Sequence, residues 1–148
     1  MAKNWKNPEQ NDMRVLIDTN VVLDYLAKRE PFLESASIVF DACADGKVDG
    51  CIAAHSFSNI FYILRSVFSV TDRKSLLLNL CRLFTVEGID QTTIESAIQN
   101  ESFNDFEDAL QEECASSFGA EYIITRNPSD FKQSSISPIS PDDFIQLL

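Results

Sequence analysis

One histidine, four glycines and a shortage of basic residues set the first limits on this chain of 148 residues. With His55 the only imidazole, any serine or cysteine triad would have to be built on a residue that merely follows two alanines at a strand end. There is no glycine-rich phosphate loop and no GxSxG elbow. The four cysteines, Cys43, Cys51, Cys81 and Cys114, form no CxxC pair and have no zinc-ligand spacing. They read as reduced, mostly buried thiols of a cytoplasmic protein. No stretch reaches the roughly 18 uncharged apolar residues that a membrane span needs. The opening "MAKNWKNPEQND" has no apolar signal-peptide core, so nothing in it points to export. Twelve Lys and Arg against 23 Asp and Glu leave a formal charge of −11. A chain so acidic repels nucleic acid at long range, which argues against a general electrostatic binder.

What is present is a packed globular composition, 45% hydrophobic and 10% aromatic, at a length that suits one domain. Residues 1–13 read as a flexible polar arm and 14–148 as a single domain. "RVLID" is a short buried strand, and "NVVLDYLAKRE" then carries a helical apolar stripe. Pro31 restarts a helix that Gly46 stops. "VDGCIAA" is a second strand and "SFSNIFYILRSVFS" a helix. "TDRKSLLLNLCRLF" is a helix with Thr71 as its expected cap. "FTVEGI" is a third strand, followed by "DQTTIESAIQN" as a short helix. "NDFEDALQEECASSFG" is a helix capped by Asn104 and ended by Gly119. "EYIIT" is a fourth strand, "ISPIS" a fifth, and "PDDFIQLL" a closing helix. Short strands alternating with helices predict a three-layer α/β/α sandwich around a mainly parallel, about five-stranded sheet. Ligands of such sheets bind beyond the carboxyl ends of the strands.

Acids fall at that edge three times. Asp18 ends the first strand, where it or Thr19 can also simply cap the following helix. In "NDFEDAL", capping and the helix dipole account for Asp105 and Glu107. Asp108 has no such account; it is expected one turn in, bordering a buried face, where a carboxylate needs a partner or a metal. Asn127 and Asp130 in "ITRNPSDF" suit a turn after a buried strand. Carboxylate and amide oxygens gathering without His or Cys suit a hard cation, Mg²⁺ or Mn²⁺. Such a site activates water or polarises a phosphate oxygen.

With these residues in view, the chain resembles the PIN-domain family, the metal-dependent nuclease fold that includes the VapC-type toxins. "VLIDTNVVLDYL" resembles the family's opening strand and helix. "FNDFEDALQEECASSFGAEYIITRNPSDF" resembles its acidic helix, strand and T-R-N-x-x-D-F turn. The likeness runs from about residue 14 to 145. It implies Asp18, Asp108 and Asp130 as catalytic acids holding Mg²⁺ or Mn²⁺, with Asp105 as a lesser contributor. Thr19, Asn20, Thr125, Arg126 and Asn127 match polar positions beside the metal or the substrate phosphate. The family's second acid is usually a Glu in the helix after the second strand; here Asn59 stands at that place. The implied activity is hydrolysis of single-stranded RNA, with an antitoxin protein as partner and a homodimer as the assembly. The alternative is a degenerate relative that binds RNA or a protein without cutting. Arg65, Arg73, Lys74 and Arg82 are either a local basic patch for substrate or ordinary solvated helix surface.

Overall fold

The computed structural model describes residues 13–148. The expected arm, up to residue 12, lies outside the described residues, and Met13, counted with it above, opens the first strand. Five strands, β1 (Met13–Ile17), β2 (Val48–Ala53), β3 (Thr85–Glu87), β4 (Tyr122–Ile124) and β5 (Ser137–Ile139), form one sheet. Their order is β3-β2-β1-β4-β5, and every neighbouring pair is parallel. The helices are α1 (Thr19–Leu26), α2 (Leu33–Ala44), α3 (Ala54–Ile63), α4 (Val70–Leu83), α5 (Gln91–Gln99), α6 (Phe106–Phe118) and α7 (Pro141–Ile145). One-turn 3-10 segments at Leu64–Ser66 and Pro128–Phe131 complete the chain.

Central strand β1 shows why the sheet has two covered faces. Val15, Leu16 and Ile17 are all 0% exposed, and alternation sends them to opposite sides. Val15 and Ile17 pack with Ile52, Ile124 and the buried residues of α1, α2, α3, α4 and α7. Leu16 packs with Cys51, Ile123 and the α6 residues Cys114, Ala115 and Phe118. Helix α5 adds Ala97 against Ala109 and Leu110 of α6. Each fully buried aliphatic side chain contributes about 1.5–3 kcal/mol, so two-sided burial holds β1 at the centre.

Because the strands are parallel, β1, β2 and β4 all end on one edge. Helix α6 runs back from that edge to Gly119, whose φ of 77° makes the left-handed turn into β4 that glycine adopts without strain. The N-terminus of α6 therefore shares the edge with the tips of β1, β2 and β4. Two helix starts differ from the sequence reading. Ser69, not Thr71, caps α4, its Oγ accepting from Asp72 N at 3.2 Å. Asp105, not Asn104, caps α6. Among the described residues no helix is long and apolar enough to cross a membrane.

Candidate functional site

Asp18 follows the last residue of β1 with extended backbone and caps α1. Its Oδ1 accepts from Thr19 N at 2.7 Å, and its Oδ2 accepts from Thr125 Oγ1, just past β4, at 2.8 Å. Capping is thus part of its role, but only one oxygen is used for it. Gln111 of α6, 0% exposed, aims Nε2 at Asp18 Oδ1 (3.3 Å), Thr19 Oγ1 (3.2 Å) and Ser56 Oγ (3.2 Å). Thr19 Oγ1 donates to Ser56 Oγ at 2.9 Å. The carboxylate fixes which way the amide faces, since the reverse would set oxygen against oxygen. This buried knot joins the β1 tip, α3, α6 and the end of β4, and it holds Asp18 in one orientation.

At the start of α6, Asp105 Oδ1 accepts from Glu107 N at 2.8 Å and Asp108 N at 3.2 Å. Asp108 accordingly lies in the first turn, nearer the edge than the sequence suggested. Burial pushes its carboxyl up to about 7, and the charges of Asp105, Asp18, Asp130 and Glu107 add to the rise. Burial likewise lifts Asp18 to about 6 against the Thr125 and Thr19 hydrogen bonds, with Glu107 and Asp130 adding repulsion. Burial and Asp105 also raise Glu107, which the sequence reading had taken only as a capping residue. Asp130 is exposed on the 3-10 turn that buried Phe131 anchors. Asp18, Asp108 and Asp130 thus come from three elements; Asp130 adds repulsion at Asp18 and at Asp108, and Asp18 adds it at Asp108.

The neutral candidates divide. Asn20 Oδ1 accepts from Arg126 N at 3.4 Å, and Thr125 Oγ1 accepts from Asn127 N at 3.1 Å. Asn59 is half-buried one turn beyond Ser56; the hydrogen bonds from α3 into the knot come from Ser56, not Asn59. Arg126 has its Nε 2.7 Å from Asp24 Oδ2 and its guanidinium over the Phe32 ring at 4.1 Å, so its charge faces a buried carboxylate. Of the four basic residues, Arg73 donates from Nε to Phe68 O (3.1 Å) and from Nη1 to Phe61 O (2.9 Å). It stitches α3 to α4. His55 is kept neutral by burial, and its ring nitrogens have no hydrogen-bond partner among the described residues.

Gln111, Ser56 and Asp24 escaped the sequence reading. Gln111 and Asp24 had one available signal, a polar residue interrupting an apolar stripe: Gln111 between Leu110 and Cys114, Asp24 inside "VVLDYL". Ser56 carried none, since a serine in a first turn is unremarkable.

Among the described residues no three Asp, Glu, His or Cys side chains close into a cage for a metal ion. The donor set fits a different kind of binding. Oxygen-only, mutually repelling carboxylates suit a hard cation that keeps several waters and takes one or two protein carboxylates. Burial is the main cause of the rise at Asp18 and Asp108, and the repulsion that adds to it is what such a cation would relieve.

Fold and site together define an α/β protein with an acid-lined sheet edge. Its family follows from the family model described as PIN domain, which matches residues 14–129; the chain belongs to the PIN-domain family. No curated protein sequence matches it. Solved structures share the fold at low identity. A chain of a toxin–antitoxin complex from Klebsiella pneumoniae is 19% identical, with a TM-score of 0.65, covering 86% of this chain and 97% of that one. FitAcB from Neisseria gonorrhoeae gives 17% and 0.64, covering 86% and 97%. VapC20 of Mycobacterium tuberculosis, described as a sarcin–ricin loop cleaving toxin, gives 12% and 0.58, covering 74% and 86%.

Proposed function

We propose that this chain is a divalent-metal-dependent nuclease that hydrolyses phosphodiester bonds of single-stranded RNA, acting in the cytoplasm as the toxin of a toxin–antitoxin pair. The observation that carries the reading is the set of acids at the C-terminal side of the sheet: Asp18 at the tip of β1, Asp108 in the first turn of α6 and Asp130 on the turn after β4. Membership of the PIN-domain family supports nuclease chemistry. Toxin–antitoxin complexes and a sarcin–ricin loop cleaving toxin among the structures of similar fold support the biological role.

Asp18, Asp108 and Asp130 would hold Mg²⁺ or Mn²⁺, directly or through water. When bound, the cation supplies Lewis acidity toward a phosphate oxygen and lowers the pKa of water for in-line attack. The chain's own residues do the rest. Thr125 and the Thr19 amide fix the two Asp18 oxygens, so the carboxylate meets its ligand without reorienting. Gln111 excludes water from behind it. While buried Thr125 serves Asp18, Asn20 and Asn127 offer neutral polar groups where a phosphate would approach. That suits a site whose acids already repel an anion, and the cation restores the local balance. Tyr62, Val67, Val70 and Leu78 are exposed on α3, α4 and the connection between them, apolar surface that supports a protein partner or a second copy.

The test is Mn²⁺-dependent cleavage of single-stranded RNA by the wild type and Asp18→Asn. The variant should lose cleavage and remain folded, because asparagine also caps a helix. Equal cleavage by the variant, or cleavage in excess chelator, overturns the metal mechanism. The neutral Asn59 favours one second reading, a domain that binds RNA or a protein without cutting. Binding with neither cleavage nor Mn²⁺ uptake would establish that reading instead.

A further inference from the structure

Asp24 is a buried acid that the chemistry above does not use. It lies in the second turn of α1, 1% exposed, among buried Val21, Val22, Leu23 and Leu26. Arg126 Nε is 2.7 Å from its Oδ2 and Arg29 Nη1 is 3.9 Å from its Oδ1. Burial pushes the Asp24 carboxyl up, and the two guanidinium groups pull it back. An ion pair so buried is poor evidence of stabilisation, since apolar replacement is often neutral or better; specifying one geometry is its better-supported use.

What it specifies follows from where Arg126 stands. Thr125, the residue before it, holds Asp18; the 3-10 turn that follows carries Asp130. This segment is fastened at three points to α1 and its N-cap. Thr125 to Asp18 is one, but a cation would compete for that same carboxylate. Arg126 N to Asn20 Oδ1 is the second, and at 3.4 Å it is long. The third, Arg126 to Asp24, is charged, has a buried carboxylate and lies away from the ligand. Phe32 backs the guanidinium at 4.1 Å, so the arginine is held flat against α1.

We infer that Asp24, acting through Arg126, is a positioning residue that holds the Thr125–Asp130 segment in place relative to Asp18 and Asp108. The inference rests on the proposed function only for what the segment does once placed. A phosphate-binding Arg126 is the competing idea, and it would require a phosphate to displace a buried carboxylate.

The experiment is a double-mutant cycle in the full chain with Asp24→Asn, Arg126→Gln and both together. Amide exchange of residues 125–131, β1 and β2 is read beside Mn²⁺ affinity by calorimetry. Each single change should speed exchange in 125–131 by about ten-fold or more while β1 and β2 stay within about two-fold of wild type. Mn²⁺ affinity should fall by about ten-fold in each single variant, the usual size for a lost supporting contact. The double variant should be no worse than the poorer single, because one interaction is lost once. Unchanged exchange in 125–131, loss spread evenly over the sheet, or effects that multiply in the double variant would each overturn the inference. If Asp24→Asn fails to fold, Arg126→Gln, which alters a side chain 27% exposed, supplies both measurements alone. A wild type that takes up no Mn²⁺ would sink the metal site, while segment exchange still decides the positioning role.

Discussion

At the scale of residues, Asp105 and Asp108 open the same helix and do different work. Asp105 uses Oδ1 on two backbone amides, which is what an N-cap does. Asp108 adds its charge to a group of acids, and its carboxyl is pushed up to about 7 by burial first and by Asp105, Asp18, Asp130 and Glu107 after it. Replacing it by asparagine removes one of several mutually repelling charges. Asp108→Asn should therefore stabilise the metal-free protein at pH 7.5 by about 0.5–1 kcal/mol, after allowance for screening at a half-buried site. It should also weaken Mn²⁺ binding. Asp105→Ala should instead cost about 1 kcal/mol through the lost cap, and Asp105→Asn almost nothing. Thermal melts in chelator check the signs; a destabilised Asp108→Asn would mean that the carboxylate has a favourable partner and that repulsion does not govern it.

At the scale of elements, α3 carries Asn59 at the position where the sequence resemblance expects an acid. Its buried face is marked by Ser56 and Ile60, both 0% exposed, and Asn59 lies between them on the flank, half-buried. If that flank borders the acids, Asn59→Glu adds a fourth carboxylate to the edge. One extra charge near a divalent ion is worth a few kcal/mol at an effective dielectric near 20. Mn²⁺ affinity should rise by about ten- to a hundred-fold, with a lower melting temperature in chelator and a larger rise on adding Mn²⁺. Unchanged affinity would show that α3 meets the site through Ser56 alone. This flank also marks how far the sequence could be read. The strands were legible because two-sided burial makes continuous apolar runs, as in "VLI" and "YII", and Asp18 and Asp108 because one stands directly after such a run and the other in a capped first turn. The choice of cap was not, since Asn104 and Asp105, or Ser69 and Thr71, are chemically equivalent and only backbone direction decides. Nor was the knot around Gln111, or the turning of Arg126 toward Asp24. Both depend on pairings between residues that the chain brings together only when the sheet is assembled.

At the scale of the whole molecule, the site should write its charge into the pH dependence of stability. Asp18 and Asp108 are raised from an ordinary value of 3.8 to about 6 and about 7. Both therefore hold their protons more tightly in the folded chain than in the unfolded one. Between about pH 4 and 7 the folded state binds more protons, so this contribution is complete below the unfolded value and is lost as pH rises through 6 and 7. On the order of 2–3 kcal/mol attaches to buried Asp18; partly exposed Asp108 adds less, in the same direction. In a chain of this size that is roughly 5–10 °C. In chelator, the melting temperature should fall between pH 5 and 8, the direction that self-repulsion at a formal charge of −11 also favours. Added monovalent salt screens the surface part of the slope and leaves the part belonging to buried Asp18. Mn²⁺ should act in the opposite sense, because only ionised carboxylates hold it. Its stabilisation should be small at pH 5 and grow through pH 6–7, so the curves with Mn²⁺ and with chelator diverge on the alkaline side. Asp18→Asn should flatten the chelator curve and close the gap between the two. A melting temperature that rises with pH in chelator, or a Mn²⁺ effect equal at pH 5 and 8, would mean that these carboxylates neither repel one another nor bind the cation as ionised groups.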